Sequence, residues 1–327
     1  MNGMKRLTSA LATAVCLFGL GAAAYAEPLT IAVANFGDHQ QLNAVVEGFR
    51  AELAASGYVE GKDVNITVDH VNFDPSLAPQ MLSKIEATKP ALILTVTTPI
   101  SQIAKNQHGK TGIPIVFSAV TDPVAAKLVP SWESGDTNMS GASDLQDVNA
   151  TMEFTRKLLP DAKKFGMPYN PGEANDVALL DIVRAAAPAH GFEVTDVGID
   201  NANDIQQRIA SLAGNADVIF GSGSNLIQPA IAAVASAAKE AGIPIVNTDD
   251  GPVKQGIVPA SFSISYIQIG HNAGKIAVRV LKGEDISKIA PIKPAYEDFS
   301  ITISKKAMEA FGAKIPDSFA DCKCIVD

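Results

Sequence analysis

Gly112-Ile113-Pro114-Ile115-Val116 and Gly242-Ile243-Pro244-Ile245-Val246 are one pentapeptide occurring twice, 130 residues apart. Each copy is a glycine followed by a proline-containing apolar run, and each run reads as a strand covered on both faces, as in a parallel sheet. The surroundings repeat as well. Before the first copy come a strand-like run at Leu29–Asn35 and a helical spacing over 41–56 through Leu42, Val45, Val46, Phe49 and Leu53, ended by Gly57. A strand at Val64–His70, a helix over 77–88, an apolar strand over 91–96 and a short helix over 101–107 follow. Before the second copy come a strand at Lys164–Tyr169, a helix over 176–190 ended by Gly191, a strand at Glu193–Gly198, a helix over 204–212, a strand over 218–220 and a helix over 226–240. Gly57 and Gly191 end the first helix of each half, 134 residues apart. The same pentapeptide in the same slot of two α/β units points to a duplicated plan.

Each half is long enough for one doubly wound lobe. Two later pieces have no home in a simple tandem. Residues 266–281 have helical spacing through Ile269, Ala273, Ile276, Ala277, Val280 and Leu281, stopped by Lys282-Gly283, and residues 299–303 are strand-like. They fit a chain that crosses back. The expected architecture is α/β, with two doubly wound parallel-sheet lobes joined by a three-strand hinge. Lobe one takes 29–142 plus 266–290, and lobe two takes 143–265 plus 291–327.

The first residues address the compartment. Lys5 and Arg6 precede an uncharged run from 7 to 24, and Ala24-Tyr25-Ala26 offers small residues at the two positions a signal peptidase reads. Residues 1–26 are therefore expected to be a signal peptide cleaved after Ala26, which places the mature chain in the periplasm. A lipoprotein signal with Cys16 as acceptor is the rival reading, against which stands the apolar run continuing through Leu17, Phe18 and Leu20. Removing Lys5 and Arg6 from 26 basic residues leaves 24 against 35 acidic, a formal charge of −11. With no basic block, nucleic acid and anionic lipid are poor partners. Cys322 and Cys324 flank only Lys323; export permits a disulfide, and the reading here is a tail with little effect on folding.

In an open parallel sheet, ligands bind beyond the carboxyl ends of the strands. That rule selects loops at 35–41, 97–101, 118–123, 170–176, 221–225 and 247–252, rich in amides, hydroxyls and carboxylates. Such groups bind small polar solutes, and they also cap helices and shape turns. Thr97 and Thr98 precede Pro99 at a helix start, where hydroxyls and free amides suit a carboxylate. Asp122, before Pro123, reads as a cap or as a partner for a ligand ammonium. Asn175 reads as a cap or as a ligand contact, and at least one of Asp249 and Asp250 is expected to face the cleft. The turn 221–225 allows close backbone approach but lacks the lysine of a phosphate loop. Asp122 and Asp249 each follow a Pro-Ile-Val strand, so they are expected to oppose each other from different lobes and repel until a ligand ammonium arrives.

Catalytic constellations are missing from the sequence. His39, His70, His108, His190 and His271 are scattered without metal spacing, and no Gly-x-Ser-x-Gly turn occurs. Neither an enzyme nor a cofactor or metal site is expected. Trp132 reads as packing near the lobe junction or as a platform for ligand stacking.

Several segments carry a likeness to a known family: Glu47-Gly48-Phe49 with 57–62, Thr98-Pro99, 114–117 leading to Thr121-Asp122-Pro123-Val124, and 141–145. Leu158-Leu159-Pro160, 169–175 and 269–283 complete the set, in this order along nearly the whole mature chain. The chain resembles the ABC transporter substrate-binding proteins of tryptophan/tyrosine-type import systems, which have the type I periplasmic-binding fold. The resemblance implies capture of a small solute, often an aromatic amino acid, by a monomer that delivers it to a permease with a cytoplasmic ATPase. It implies ligand contacts at His39, Thr98, Asp122, Asn175, Asn225 and Asp249. Where relatives commonly have an aspartate beside an asparagine, this chain has Ser224 beside Asn225, and His39-Gln40-Gln41 replaces a proline-containing loop. A sensory module working with a membrane receptor could use the same fold, and is the alternative to transport.

Overall fold

The structure, a computed structural model, describes residues 27–327. The expected signal peptide and Cys16 lie outside the described residues. Among those described, no helix is long and apolar enough to cross a membrane.

Lobe one is built from β1 (Leu29–Asn35), α1 (Gln40–Ala55), β2 (Val64–His70), α2 (Ala78–Ala87), β3 (Leu92–Val96), α3 (Thr98–His108), β4 (Ile115–Ser118) and β5 (Met139–Gly141). Its five strands are all parallel, in the order β2-β1-β3-β4-β5. The central strands β3 and β4 are buried along their whole length, which is why they read as unbroken apolar runs. α1 shows how the helices form. His39 caps it by accepting from the Gln41 amide, Val45, Phe49 and Leu53 are fully buried along one stripe, and Gly57 follows at a φ of +93° that only glycine adopts easily.

Lobe two contains α4 (Val148–Leu158), β6 (Lys164–Tyr169), α5 (Ala174–Ala186), β7 (Glu193–Gly198), α6 (Ile205–Ala210), β8 (Val218–Gly221), α7 (Ile231–Glu240), β9 (Ile245–Asn247), α8 (Gly251–Lys254) and β10 (Ala260–Ile264). α9 (Tyr266–Leu281) returns to lobe one, and β11 (Phe299–Ser304), α10 (Lys305–Ala310) and β12 (Ile325–Val326) complete lobe two. The second sheet runs β12-β11-β10-β9-β8-β6-β7. The expected parallel-sheet plan holds in both lobes, with β11 pairing antiparallel with β10 at the place where the chain re-enters after its excursion. Cys322 and Cys324 are joined in a disulfide, pack against the lobe-two core, and precede a strand paired with β11.

The chain passes between the lobes three times, and the passages are tied together. Ile292 donates to the Gly141 carbonyl and Ser143 to that of Ile292, both at 2.9 Å. The Gln146 side chain donates to the Phe262 carbonyl at 2.7 Å, and Ser265 donates to that of Asp298 at 3.0 Å. α9 then lies against α1 at backbone contact. A Cβ on Gly48 would sit 2.1 Å from the Ile267 carbonyl oxygen, and one on Gly270 would sit 2.1 Å from that of Val45. Neither oxygen can retreat without moving a helix. Gly48→Ala and Gly270→Ala are therefore each expected to destabilise the fold by about 1–3 kcal/mol, the usual cost of overpacking. Thermal unfolding checks this, and an unchanged melting temperature in both variants would refute the account.

Candidate functional site

The carboxyl ends of the parallel strands face one another across the space between the lobes. Phe36 and Gln41 follow β1, Thr97 and Thr98 follow β3, and Thr121 follows β4. From lobe two come Asn175 beyond β6, Ser224 and Asn225 beyond β8, and Asp249 beyond β9. Together they line one chamber between the lobes, whose open space, mouth included, is about 560 Å³.

The wall of lobe one is strained at this spot. Thr97 is buried with φ 82°, and Ala119, beyond the neighbouring strand, has φ 50°. A β-branched residue in that region is costly and persists only where its surroundings hold it. Here the Ser101 amide and hydroxyl both donate to the Thr97 carbonyl, at 3.1 and 2.7 Å. The Thr97 hydroxyl is left buried without a partner. It stands beside Thr98 at the amino end of α3, where the first helical amides lack intrahelical acceptors.

The wall of lobe two is organised by Glu173. Its carboxylate accepts from the Asn170 side chain (3.0 Å), the Asn175 side chain (3.2 Å), the Asn225 backbone and side chain (2.8 Å each) and the Leu226 amide (3.0 Å). This fixes all three asparagine side chains and leaves the Oδ1 of Asn175, a residue lining the cleft, buried and without a partner. Asp176, just behind, accepts from the Asn170 amide at 2.7 Å. Burial, and then the nearby Glu173 charge, push its carboxyl above the ordinary aspartate range. Gln228 donates to the Ser222 carbonyl and to Asn247 Oδ1, both at 2.7 Å, and its own oxygen is likewise unpartnered.

Two carboxylates complete the chamber. Asp144 lies on the first passage between lobes and accepts from the Thr121 hydroxyl at 3.0 Å and the Tyr266 phenol at 3.4 Å. Although reachable from the cleft, it is surrounded by enough protein that burial pushes its carboxyl up to about 6. Asp249, also raised by burial, accepts from the Gly251 amide at 2.8 Å and from the Gln41 side chain of the opposite lobe. That last bond bridges the lobes, and the arrangement is closed.

Of the residues singled out in the sequence, His39, Thr98, Asn175, Asn225 and Asp249 line this chamber. Asn175 does not cap α5; that position falls to Glu173. Asp122 is turned away. Its Oδ1 accepts from the Val124 and Ala125 amides at 2.9 and 3.0 Å, so the carboxylate serves its own turn. The carboxylate accompanying Asp249 is Asp144, which with Tyr266 lies outside the loops that the sequence selects, whereas Gln41 and Glu173 lie within the selected loops 35–41 and 170–176. Trp132 is not part of the chamber; Lys293 lies over its ring at 4.1 Å. Among the described residues, no group of His, Cys, Asp and Glu is placed to hold a metal.

Two tests follow from this geometry. Asp122→Ala is expected to cost about 1 kcal/mol, as for a capping side chain, and to lower the melting temperature without changing ligand affinity. For Asp144, the folded carboxyl at about 6 stands above the ordinary 3.8. Its contribution to stability is complete below about pH 4 and is lost as the pH rises through about 6. Asp144→Asn should flatten the fall in melting temperature of the ligand-free protein between about pH 4 and pH 6. Parallel slopes for variant and parent would refute the assignment.

Comparison with known proteins gives concordant results. The chain is 33% identical over 280 residues to the tyrosine-binding protein of Clostridioides difficile strain R20291, covering 86% of this chain and 80% of that one. Among solved structures, it matches an ABC domain in complex with L-Trp from Streptococcus pneumonia with a TM-score of 0.84 at 25% identity, over 91% of this chain and 100% of the other. It matches the ligand-free, open structure of a substrate binding protein with adhesive properties from Clostridium difficile with a TM-score of only 0.70, despite 31% identity, over 91% and 99%. The family model for ABC transporter substrate binding proteins matches residues 30–322, and the chain belongs to that family of extracytoplasmic solute receptors of ABC importers, with the type I periplasmic-binding fold.

Proposed function

We propose that the cleft binds one free aromatic amino acid, tyrosine or tryptophan, and releases it chemically unchanged to the permease. The observation that carries this reading is the sorting of polar atoms around the chamber. Asp144, Asp249 and the unpartnered Asn175 oxygen are acceptors, suited to an ammonium. The Thr97 hydroxyl and the amino end of α3 are donors, suited to a carboxylate. Phe36 and Phe73 supply an apolar wall for a ring. An α-amino acid with an aromatic side chain satisfies all three, and the tyrosine-binding and L-Trp-bound relatives support the choice.

In this reading the chain is exported to the periplasm, with cleavage after Ala26, and acts as a monomer. The permease that receives the solute is driven by a cytoplasmic ATPase, and the receptor performs no catalysis. Closure is coupled to cargo because an empty closed cleft holds Asp144 and Asp249 in a poorly solvated space where burial disfavours their ionised forms, and an ammonium offsets that cost.

Calorimetry against the twenty amino acids tests the proposal, and no heat with any of them would remove it. Asp144→Asn and Asp249→Asn are each expected to weaken tyrosine or tryptophan binding at least about tenfold. Because burial raises both carboxyls, binding the ammonium must expel a proton at low pH. Affinity should fall as the pH drops below about 6, by up to about tenfold per pH unit for one coupled proton. A flat profile between pH 5 and pH 8 would separate ligand binding from these carboxylates.

A further inference from the structure

We propose that Phe73, braced by Phe36 and seated on Gly37, is the specificity-determining partition that limits how long a ligand side chain the cleft accepts. The inference rests on the amino-acid reading of the site. Phe36 and Phe73 line the inner chamber and also a larger groove outside it. Asn225 of the opposite lobe is the other residue shared by both spaces, so closure completes the barrier. The two rings meet edge to face with centroids 5.8 Å apart, and the Phe73 amide donates to the Phe36 carbonyl at 2.9 Å.

The backbone is bent to hold the ring there. Asn72 and Phe73 have φ of 51° and 65°, a conformation that bulky residues rarely adopt. Gly37 shows what the ring needs beneath it. Its φ lies outside the left-handed region, so no turn requires glycine, yet a Cβ there would lie 2.4 Å from two carbons of the Phe73 ring. The missing side chain makes room for the ring. Beyond the partition the groove is mixed, with Pro99, Ile103 and Leu226 beside Lys105, Lys127 and Asp200, and its apolar part would accept a second ring if the way were open. The partition therefore separates two compatible spaces and admits the ligand's side chain to one of them.

The probes are L-tyrosine and O-benzyl-L-tyrosine, which share the amino-acid end and differ by one further ring. Calorimetry on the wild type is expected to show tyrosine bound and the benzyl ether at least a hundredfold weaker. Phe73→Ala should bind the benzyl ether at least tenfold tighter than the wild type does, while losing affinity for tyrosine. Gly37→Ala, which displaces the ring without removing it, should shift selectivity the same way. Phe73→Leu, which keeps an apolar cover, should fall between parent and alanine variant and gives the reading if Phe73→Ala melts too early. Equal binding of both probes by the wild type, or proportionate loss of both in the variants, would overturn the partition while leaving the amino-acid site standing. A wild type that binds no aromatic amino acid would overturn both.

Discussion

α9 lies on α1 more closely than side chains ordinarily permit, and the two-lobed arrangement depends on that contact. Gly48 and Gly270 each face a carbonyl oxygen of the other helix where a methyl group would overlap it. The helix that follows the last parallel strand of lobe two is thereby drawn back to complete the core of lobe one, together with Ile286 and Ile289. A chain that returns must also leave again, which produces the third passage and the antiparallel β11. Three tied passages let two rigid sheets change their separation without either unfolding, whereas one passage would leave their relative orientation free.

This geometry places like charges together. Asp144 sits on a passage, Asp249 ends a strand of lobe two, and Asp176 and Glu173 lie directly behind the second wall. Burial holds Asp144, Asp176 and Asp249 above the ordinary aspartate range. A set of carboxyls that all resist ionisation is a poor way to stabilise a fold and a good way to make closure depend on a cation. Unpartnered oxygens on Thr97, Asn175 and Gln228 point the same way, since buried polar atoms without partners cost free energy that a ligand recovers.

Part of the backbone strain lies at the same place, although Asn72, Lys89 and Lys127 are strained outside the chamber wall. Phe73, Thr97 and Ala119 combine a left-handed φ with a place in the chamber wall. Strand ends beside a cleft have no following ladder to keep them regular, and local bonds such as those from Ser101 to Thr97 hold them instead.

How far the sequence could be read depended on element length. The repeated Pro-Ile-Val strands, the 3.6-residue spacing of α1 and the glycines that end helices are local patterns, and they determined the doubled α/β plan and the loops that bear the site. β5 spans only Met139–Gly141, too short to carry a period, and β10, although Ala260 to Ile264 alternates apolar with polar, lies beyond the last slot of the duplicated plan. Asp144 and Tyr266 lie just beyond those two strands, which is why they escaped notice although 141–145 stood among the segments of resemblance. Asp122 and Asp249 looked equivalent because each follows a matching strand. Only the folded chain separated them, since a carboxylate binds whichever donors come nearest. For Asp122 those are the Val124 and Ala125 amides, whereas Asp249 is met by Gln41 from a lobe 208 residues away in sequence. Periodicity and turn chemistry act over a few residues and are written in sequence; which carboxylate meets a cavity is settled by contacts between distant segments, and these exist only once the lobes have closed.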